Sequence, residues 1–332
     1  MTKRYLAGLL LGLALHGNAF AEVGDTKIAR WKDDRAAAFL LMFDDGWPSH
    51  WQVAIPEMQK RGIVGTFYIN PEKGEYKKFE EKWTTEIPKT GVVVFGDHTM
   101  THQGVRDVEH AEYEIGECAN YIRNVTKKTK PELLSYAQPG VGPGKWNLGD
   151  EDTKMILKKY NLIDRPTFRG HGAVYHLKTT EEMLALADKA IAEKGMEYLI
   201  VHGVERIEPD WGYQDFWPLK QDVFFPLLDG LKERSEKKDL WVTDHITQHK
   251  YEVQRDASEV KVLRKVERGI ELELKCSVDT NLYDGSLTLI TEVPKSWNKV
   301  TVTQGEQKTE VAAKEGFVKF DALPGTIRLT AP

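Results

Sequence analysis

The sequence is poor in cysteine, in long apolar runs and in basic clusters. Its 332 residues include two cysteines, Cys118 and Cys276. They could form one disulfide in an oxidising compartment, but we favour two small buried apolar residues. The net charge is −5 and there is no basic block, which argues against nucleic acid as a partner. With 41% hydrophobic and 29% charged residues, the composition is typical of a globular protein with a substantial core.

The apolar run at the N-terminus is too short to span a bilayer. The segment MTKRYLAGLLLGLALHGNAFA has basic residues at positions 3 and 4, an apolar core that ends at Leu15, and a small-x-small ending. This layout is typical of a secretory signal peptide over residues 1–21, and an uncleaved anchor is the alternative. Cleavage would remove Lys3 and Arg4 and change the net charge from −5 to −7. We expect an exported protein, periplasmic or secreted, with no membrane span in its mature form.

From about residue 35 to residue 250, apolar strands alternate with amphipathic helices. The segment RAAAFLLMFDDG has the pattern of a buried strand, HWQVAIPEMQKRG that of a helix ending at Gly62, and IVGTFYIN that of a second strand. Strand–helix–strand units of this length imply a parallel sheet. The sequence therefore predicts a barrel-like α/β domain over residues 22–254, with its chemistry at the carboxyl ends of the strands.

Beyond about residue 251 the helical pattern gives way to short alternating strands. These strands are EVKVLRKV, GIELELKCSV, SLTLITEV, KVTVTQ, GFVKFDA and TIRLTA. Turn residues separate them and no helix intervenes, which predicts a small all-β sandwich over residues 255–332. No chemical constellation stands out in this region, so we expect an accessory or packing domain.

Three strand ends of the first domain carry residues suited to metal-dependent hydrolysis. Asp44 and Asp45 close one strand, His98 and His102 follow another, and His202 ends a third. If the chain became helical after the second of these strands, the spacing of four would place both imidazoles on one face. Two imidazoles and a carboxylate can bind a divalent metal ion. Each feature alone also has a structural explanation, as a solvated turn, surface or capping histidines, or a structural histidine.

Taken in order, these motifs resemble the polysaccharide deacetylases, which carry the NodB homology domain (carbohydrate esterase family four). MFDDG at 42–46 is similar to the family's first motif, HTMTH at 98–102 matches its second, and LIVH at 199–202 is similar to its fifth. The resemblance covers about residues 35–251. It implies that the α/β domain is a distorted (β/α) barrel of the NodB type.

The resemblance also implies a role for each matched residue. Asp45, His98 and His102 would hold one divalent metal ion, in this family usually Zn²⁺. Asp44 would be the general base and His202 the general acid. The metal would then be the positive charge that allows two aspartates to stand side by side.

The third and fourth motifs depart from the family pattern. In the loop SYAQPGVGPG, the N–H of Gly140, after Pro139, would stabilise the oxyanion together with the metal. Many members carry an arginine that pairs with the base, but this chain has Gln138 there, so no arginine is expected on Asp44 from that position. The fourth motif usually supplies a partner for the acid histidine, and its candidates here are Asp164, Arg165, Arg169 and His171.

Aromatic residues near these motifs could line a sugar-binding groove. Trp47 follows Asp45 closely, and Trp211, Tyr213 and Trp217 lie in the loop after His202. Aromatic rings beside a polar site suit stacking against sugar faces. Hydrophobic packing within a long loop is the alternative.

The resemblance implies an enzyme that removes N-acetyl or O-acetyl groups from an acetylated carbohydrate. Chitin-like oligomers, peptidoglycan, poly-N-acetylglucosamine and acetylated xylan or uronan all stay open as substrates. Two other functions are considered. One is a non-catalytic glycan-binding protein that kept the fold, and the other is a hydrolase of small amides or cyclic imides.

Overall fold

The structure, a computed structural model, describes residues 22–127, 130–166, 176–207 and 214–331. The strands are β1 Thr26–Ile28, β2 Ala37–Asp44, β3 Gly65–Ile69, β4 Val93–Asp97, β5 Leu134–Tyr136, β6 Leu162–Asp164, β7 Met196–Val201, β8 Gly203–Val204, β9 Pro218–Leu219, β10 Leu240–Thr243, β11 Ser258–Val266, β12 Gly269–Cys276, β13 Leu287–Glu292, β14 Lys299–Gln304, β15 Gln307–Lys314, β16 Phe317–Ala322 and β17 Gly325–Thr330. The α-helices are α1 Ile55–Arg61, α2 Gly74–Lys78, α3 Val108–Ala111, α4 Cys118–Thr126, α5 Asp150–Lys159, α6 Thr180–Glu193, α7 Gln221–Glu236 and α8 His245–Asp256. Short 3₁₀ or π-helical turns occur at Lys32–Asp34, His50–Ala54, Lys82–Glu86, Ile87–Lys89 and Glu112–Glu117.

A curled parallel sheet forms the first half of the fold. Its strand order is β10-β2-β3-β4-β5-β6, and β7 pairs with β2. All eight residues of β2 are buried because both faces of the sheet are covered. Phe39 and Phe43 belong to the core cluster shared with the helices, whereas Leu40 and Met42 belong to a small separate cluster. The predicted fold class, a distorted (β/α) barrel followed by an all-β region, is confirmed.

The helices around this sheet begin and end at the residues that the sequence indicates. Thr179 caps α6 in a reciprocal pair with Glu182, and α1 ends at Gly62 with a left-handed φ of 65°. Helix α8 was not predicted, because its segment was assigned to the domain junction; Asp244 caps it by accepting from the Thr247 N–H. No helix in the described ranges combines the length and apolarity needed to cross a membrane.

An antiparallel sheet of eight strands forms the second half. Its order is β1-β13-β16-β15-β14-β17-β12-β11, and its inward side chains form a separate apolar core. Two of its strands were not predicted: β15, which is mostly exposed, and β1, which pairs with β13 although it precedes the barrel. The boundary near residue 254 stays a prediction. Cys118 is buried in α4 and Cys276 ends β12, and both are free thiols.

Candidate active site

The candidate site is an open cavity of about 470 Å³ that the carboxyl ends of the parallel strands surround. Several strand ends contribute to its wall, together with the loop after β7. The residues that line it are Asp44, Asp45, His98, His102, Gln138, Gly140, Arg165, Ile200, His202, Phe216 and Trp217. Seven of the ten site residues named from the sequence therefore face one space.

A left-handed turn at the end of β2 brings Asp44 and Asp45 to this cavity. Asp45 has a φ of 82° and Gly46 a φ of 62°, and the Asp45 N–H donates to the Tyr68 carbonyl over 2.9 Å. A Cβ at Gly46 would lie 2.9 Å from the Tyr76 ring, so this position requires glycine. A non-glycine residue with positive φ is strained, and such strain is common at functional sites.

The turn after β4 is irregular, so the helix considered for the two histidines is wrong. Thr99 and His102 both have positive φ, 69° and 61°. The Asn70 side chain, also buried, donates to the carbonyls of His98 and Thr99 and fixes the turn. Hydrogen bonds within a non-helical loop, rather than helical spacing, bring the two imidazoles together.

Three donor atoms converge in this turn region. The Nε2 atoms of His102 and His98 lie 3.2 Å and 3.6 Å from Asp45 Oδ1. All three donor atoms lie within 4.8 Å of one another. Asp45 Oδ1 is buried and has no hydrogen-bond partner in the described structure. A buried, unpaired carboxylate oxygen between two imidazole nitrogens fits a divalent cation.

The surroundings of the three donors keep them in the states that bind a cation. His98 Nδ1 is 2.7 Å from the Ala137 carbonyl, which orients the ring and leaves Nε2 free. Burial lowers the pKa of His98 to about 4, so the ring is neutral near pH 7. Burial raises the pKa of Asp45, but His102, Lys73 and His98 outweigh this effect and hold the pKa below its ordinary value.

Asp44 is paired with Arg165, for which the sequence suggests a different role. Arg165 Nη1 lies 2.7 Å and 2.9 Å from the two carboxylate oxygens of Asp44. Arg165 was a candidate partner for the acid histidine; instead it supplies the cation that Gln138 cannot. It comes from the end of β6, four places from β2 in the sheet order, and the curl of the sheet brings the two ends together. No local motif in the sequence indicates this pairing.

The Asp44 carboxylate is ionised at neutral pH. Burial raises the pKa of Asp44, but Arg165, His98 and His202 together hold it below its ordinary value. His202 Nε2 lies 4.0 Å from Asp44 Oδ2. His202 Nδ1 is buried and has no hydrogen-bond partner within the described ranges.

The remaining predicted residues lie around the cavity with one exception. Gly140 is exposed on its wall, and Pro139 is buried behind it. Trp47 donates its indole N–H to Asp45 Oδ2 over 3.0 Å. Trp217 has a ring centroid 5.4 Å from that of His202. Trp211 lies outside the described residues.

Two further side chains beside the site were not singled out from the sequence. Phe216 stacks on Trp217 at 4.1 Å, and these residues are 47% and 45% exposed at the cavity edge. Lys73 Nζ is 3.4 Å from Asp45 Oδ2 and 4.2 Å from the centroid of the Trp47 ring. Phe216 could have been found from its place in the aromatic segment, whereas the position of Lys73 depends on the fold.

A buried ion pair anchors the aromatic segment next to the first turn. Asp215 Oδ1 accepts from Arg206 Nη2 over 2.9 Å, and Asp215 Oδ2 accepts from the Ser49 N–H over 2.7 Å. Ser49 Oγ accepts in turn from the Val204 N–H over 2.9 Å. The segment that carries Phe216 and Trp217 is therefore tied to the turn that carries Asp44 and Asp45.

Comparison with known proteins adds a family to this geometry. Residues 32–147, which include Asp44, Asp45, His98 and His102, match the family model described as polysaccharide deacetylase. This match confirms the family resemblance. The match covers less than half of the chain and ends before His202.

Individual relatives of this polysaccharide deacetylase region are distant. A gellan lyase from a Bacillus species is 22% identical in an alignment of 309 residues, and the match covers 85% of this chain and 12% of that protein. A peptidoglycan deacetylase from Bacillus subtilis is 12% identical, with a TM-score of 0.41 over 67% of this chain and 94% of its own. A pseudoenzyme of carbohydrate esterase family four from Bacillus anthracis is 14% identical, with a TM-score of 0.42 over 67% of this chain and 68% of its own.

Proposed function

We propose that the protein is a metal-dependent hydrolase that removes acetyl groups from an acetylated carbohydrate. The observation that carries the proposal is the convergence of Asp45, His98 and His102 beside the Asp44–Arg165 pair in one open cavity. Metal donors, an ionised carboxylate and a further histidine, His202, are groups suited to the hydrolysis of an amide or ester.

Asp45, His98 and His102 would hold the cation. Two nitrogen donors and one oxygen donor suit zinc, with further coordination positions left open. When bound, such an ion would polarise the acetyl carbonyl and lower the pKa of water to about 7. We therefore propose one Zn²⁺ per chain.

The other residues of the cavity would handle the protons and the developing charge. Asp44 takes a proton from the attacking water, because its carboxylate is ionised and Arg165 fixes its orientation. His202, within 4.0 Å of Asp44, donates a proton to the leaving amine or alcohol when the C–N or C–O bond breaks. The N–H of Gly140 would contribute to stabilising the oxygen anion of the acetyl group.

The exposed rings at the cavity edge support a carbohydrate as the substrate. Phe216 and Trp217 present a stacked pair next to His202, and the ring centroid of Trp47 lies 6.5 Å from that of Phe216. Flat aromatic surfaces beside polar groups bind the apolar faces of sugars. With the predicted signal peptide, this supports a substrate outside the cytoplasm.

Gln138 and the appended all-β region were the two reasons to consider a glycan-binding protein without catalysis, and the Asp44–Arg165 pair weakens the first. An arginine on the base is available from another strand, so Gln138 gives no reason to expect an inactive site. No observation favours a hydrolase of small amides or cyclic imides, because the cavity is open and exposed aromatic rings lie at its edge.

The test is acetate release from a panel of acetylated glycans by purified protein, with and without a chelator. The panel holds chitin oligomers, peptidoglycan, poly-N-acetylglucosamine, acetylated xylan and, because one relative is named for gellan, acetylated gellan. We expect release that a chelator removes and added Zn²⁺ restores. Glycan binding without acetate release would instead favour the non-catalytic function.

Asp44→Asn is the matched variant for this test. It keeps the size of the side chain but removes its ability to accept a proton, so turnover should fall by about 10²-fold or more. Metal content should stay at the wild-type level because Asp44 is not among the proposed ligands. Unchanged turnover would contradict the role assigned to Asp44.

A further inference from the structure

A chain of buried polar side chains, none of them a metal donor, lies inside the curl of the parallel sheet. The hydroxyl of Tyr68, on β3, is 2.7 Å from Ser135 Oγ, on β5. Ser135 Oγ is 2.6 Å from Nδ1 of His245, the first residue of α8. All three are buried, and the His245 N–H also donates to Thr66 Oγ1 over 3.0 Å. Each member therefore restrains the next.

The Tyr68 end of this chain meets the active site. The centroid of its ring is 5.2 Å from Cζ of Arg165, which is within the range of a cation–π contact. The ring fills the space beside Gly96, where a Cβ would lie 2.5 Å from it. The backbone of Arg165 is held separately, because its N–H donates to the Tyr136 carbonyl over 2.8 Å.

We propose that Tyr68 is a positioning residue that keeps the Arg165 guanidinium on Asp44, and that Ser135 and His245 hold Tyr68 in place. The inference rests on the proposed function, since it concerns the base of that reaction. A buried guanidinium loses its hydration, and an aromatic face together with a carboxylate replaces it. Removing the face would let the guanidinium leave its position and disorient the base.

A double-mutant cycle separates this role from simple packing. Tyr68→Leu should lower kcat for acetate release by about tenfold or more, with little change in KM, because a misplaced catalytic group costs rate. In an Arg165→Ala background the same change should have little further effect, because residues that act through one another are non-additive. Equal losses in both backgrounds would overturn the proposal.

Two milder variants and one control complete the set. Tyr68→Phe and Ser135→Ala keep the aromatic ring but remove the hydrogen bond between Tyr68 and Ser135. Each should therefore lower kcat by less than Tyr68→Leu does. Phe67→Leu removes a buried ring from the adjacent position of β3, in the core cluster shared with the helices. It should not alter the effect of Arg165→Ala. If Phe67→Leu were coupled to Arg165→Ala as strongly as Tyr68→Leu is, the effect of Tyr68 would be one of general packing.

A spectroscopic readout keeps the inference separate from the proposed function. In protein with ¹⁵N-labelled arginine, loss of a guanidinium resonance in Arg165→Ala assigns that signal. Tyr68→Leu should shift it and speed rotation of the group, while Phe67→Leu should not. An unchanged signal would overturn the positioning role even if acetate is released. A changed signal with no acetate release would refute the proposed function alone.

Discussion

Asp44 and Asp45 are adjacent in the sequence but have different partners. Asp44 pairs with Arg165, whereas Asp45 accepts from Trp47, lies near Lys73 and faces two imidazoles. From the sequence, a metal ion alone was expected to compensate the negative charges of Asp44 and Asp45. The structure adds two cations from the protein, so the twin acids are partly neutralised by side chains that lie far apart in the sequence.

A prediction at this scale concerns the metal donors. His102→Ala removes one donor that is only partly buried, with 22% of its side chain exposed. We expect Zn²⁺ affinity to fall by more than about a hundredfold, since even outer partners of metal ligands are worth 10- to 100-fold. Metal titration of chelator-treated protein measures the effect.

His110→Ala is the matched control for that measurement. His110 lies beside Glu114, at 3.5 Å, and does not line the cavity. Its removal should leave Zn²⁺ affinity unchanged. Equal losses in the two variants would mean that the metal binds elsewhere.

A second residue-scale prediction concerns pH. Burial, together with the nearby charges of His249 and Arg165, lowers the pKa of His245 to about 3. An unfolded histidine titrates near 6.5, so below that pH the unfolded chain binds a proton that the folded protein excludes. Stability is therefore complete above about pH 6.5 and declines toward pH 3.

The size of this effect can be measured by difference. Between pH 7 and pH 5, His245 should cost the wild type about 2 kcal/mol of unfolding free energy. His245→Asn retains a polar group near Nδ1 but does not titrate, so its stability should fall less over that interval. Urea unfolding of both proteins at the two pH values gives the result. Parallel losses would show that His245 is not the source.

At the scale of elements, the site depends on the turns that follow strands more than on the strands themselves. The ends of β2, β4 and β7 were predictable because their apolar runs stop at polar residues. The turn after β4 was not, since positive φ at Thr99 and His102 leaves no trace in spacing. The Asp44–Arg165 pair was also beyond prediction because it depends on how far the sheet curls.

Errors in predicting the elements have similar causes. Strand β15 has the polar sequence QKTEVAAK because most of it is exposed, so the apolar alternation that marks a strand is weak. Helix α8 carries His245, Gln248 and Gln254 on its buried positions, which hides its amphipathic pattern. In both, tertiary contacts outweigh the local pattern.

The pair formed by Asp215 and Arg206 leads to a prediction about the segment that carries Phe216 and Trp217. Both residues are 3% exposed, so Asp215→Ala would remove a buried carboxylate that accepts from the Arg206 guanidinium and from the Ser49 N–H. We expect a loss of about 3–5 kcal/mol in unfolding free energy and a higher KM for glycan. Urea unfolding and steady-state kinetics measure the two effects.

The control for this change is another aspartate–arginine pair. Asp229 contacts Arg61 at 2.6 Å, but its side chain is 63% exposed. Asp229→Ala should cost less than about 1 kcal/mol and leave KM unchanged. If Asp215→Ala were as mild as this, the anchoring role of the buried pair would be refuted.

At the scale of the whole molecule, the described residues form two large apolar cores and one small apolar cluster. The core around the parallel sheet supports the cavity, and the second core lies between the strands of the antiparallel sheet. Polar contacts join residues near the beginning of the described chain to later segments. Lys32 Nζ lies 2.6 Å from Asp321 Oδ2, and Tyr251 Oη donates to the Ala29 carbonyl over 2.9 Å.

Strand β1 has a consequence for how such a molecule acquires its shape. The hydroxyls of Thr26 and Thr291 meet at 2.9 Å although 265 residues separate them. Pairing across so long an interval has a high entropic cost before it brings any stabilising contact, which makes it late and slow. During synthesis, β1 is made long before β13 and cannot pair with it until β13 has been added. The parallel-sheet half can therefore fold before this long loop closes.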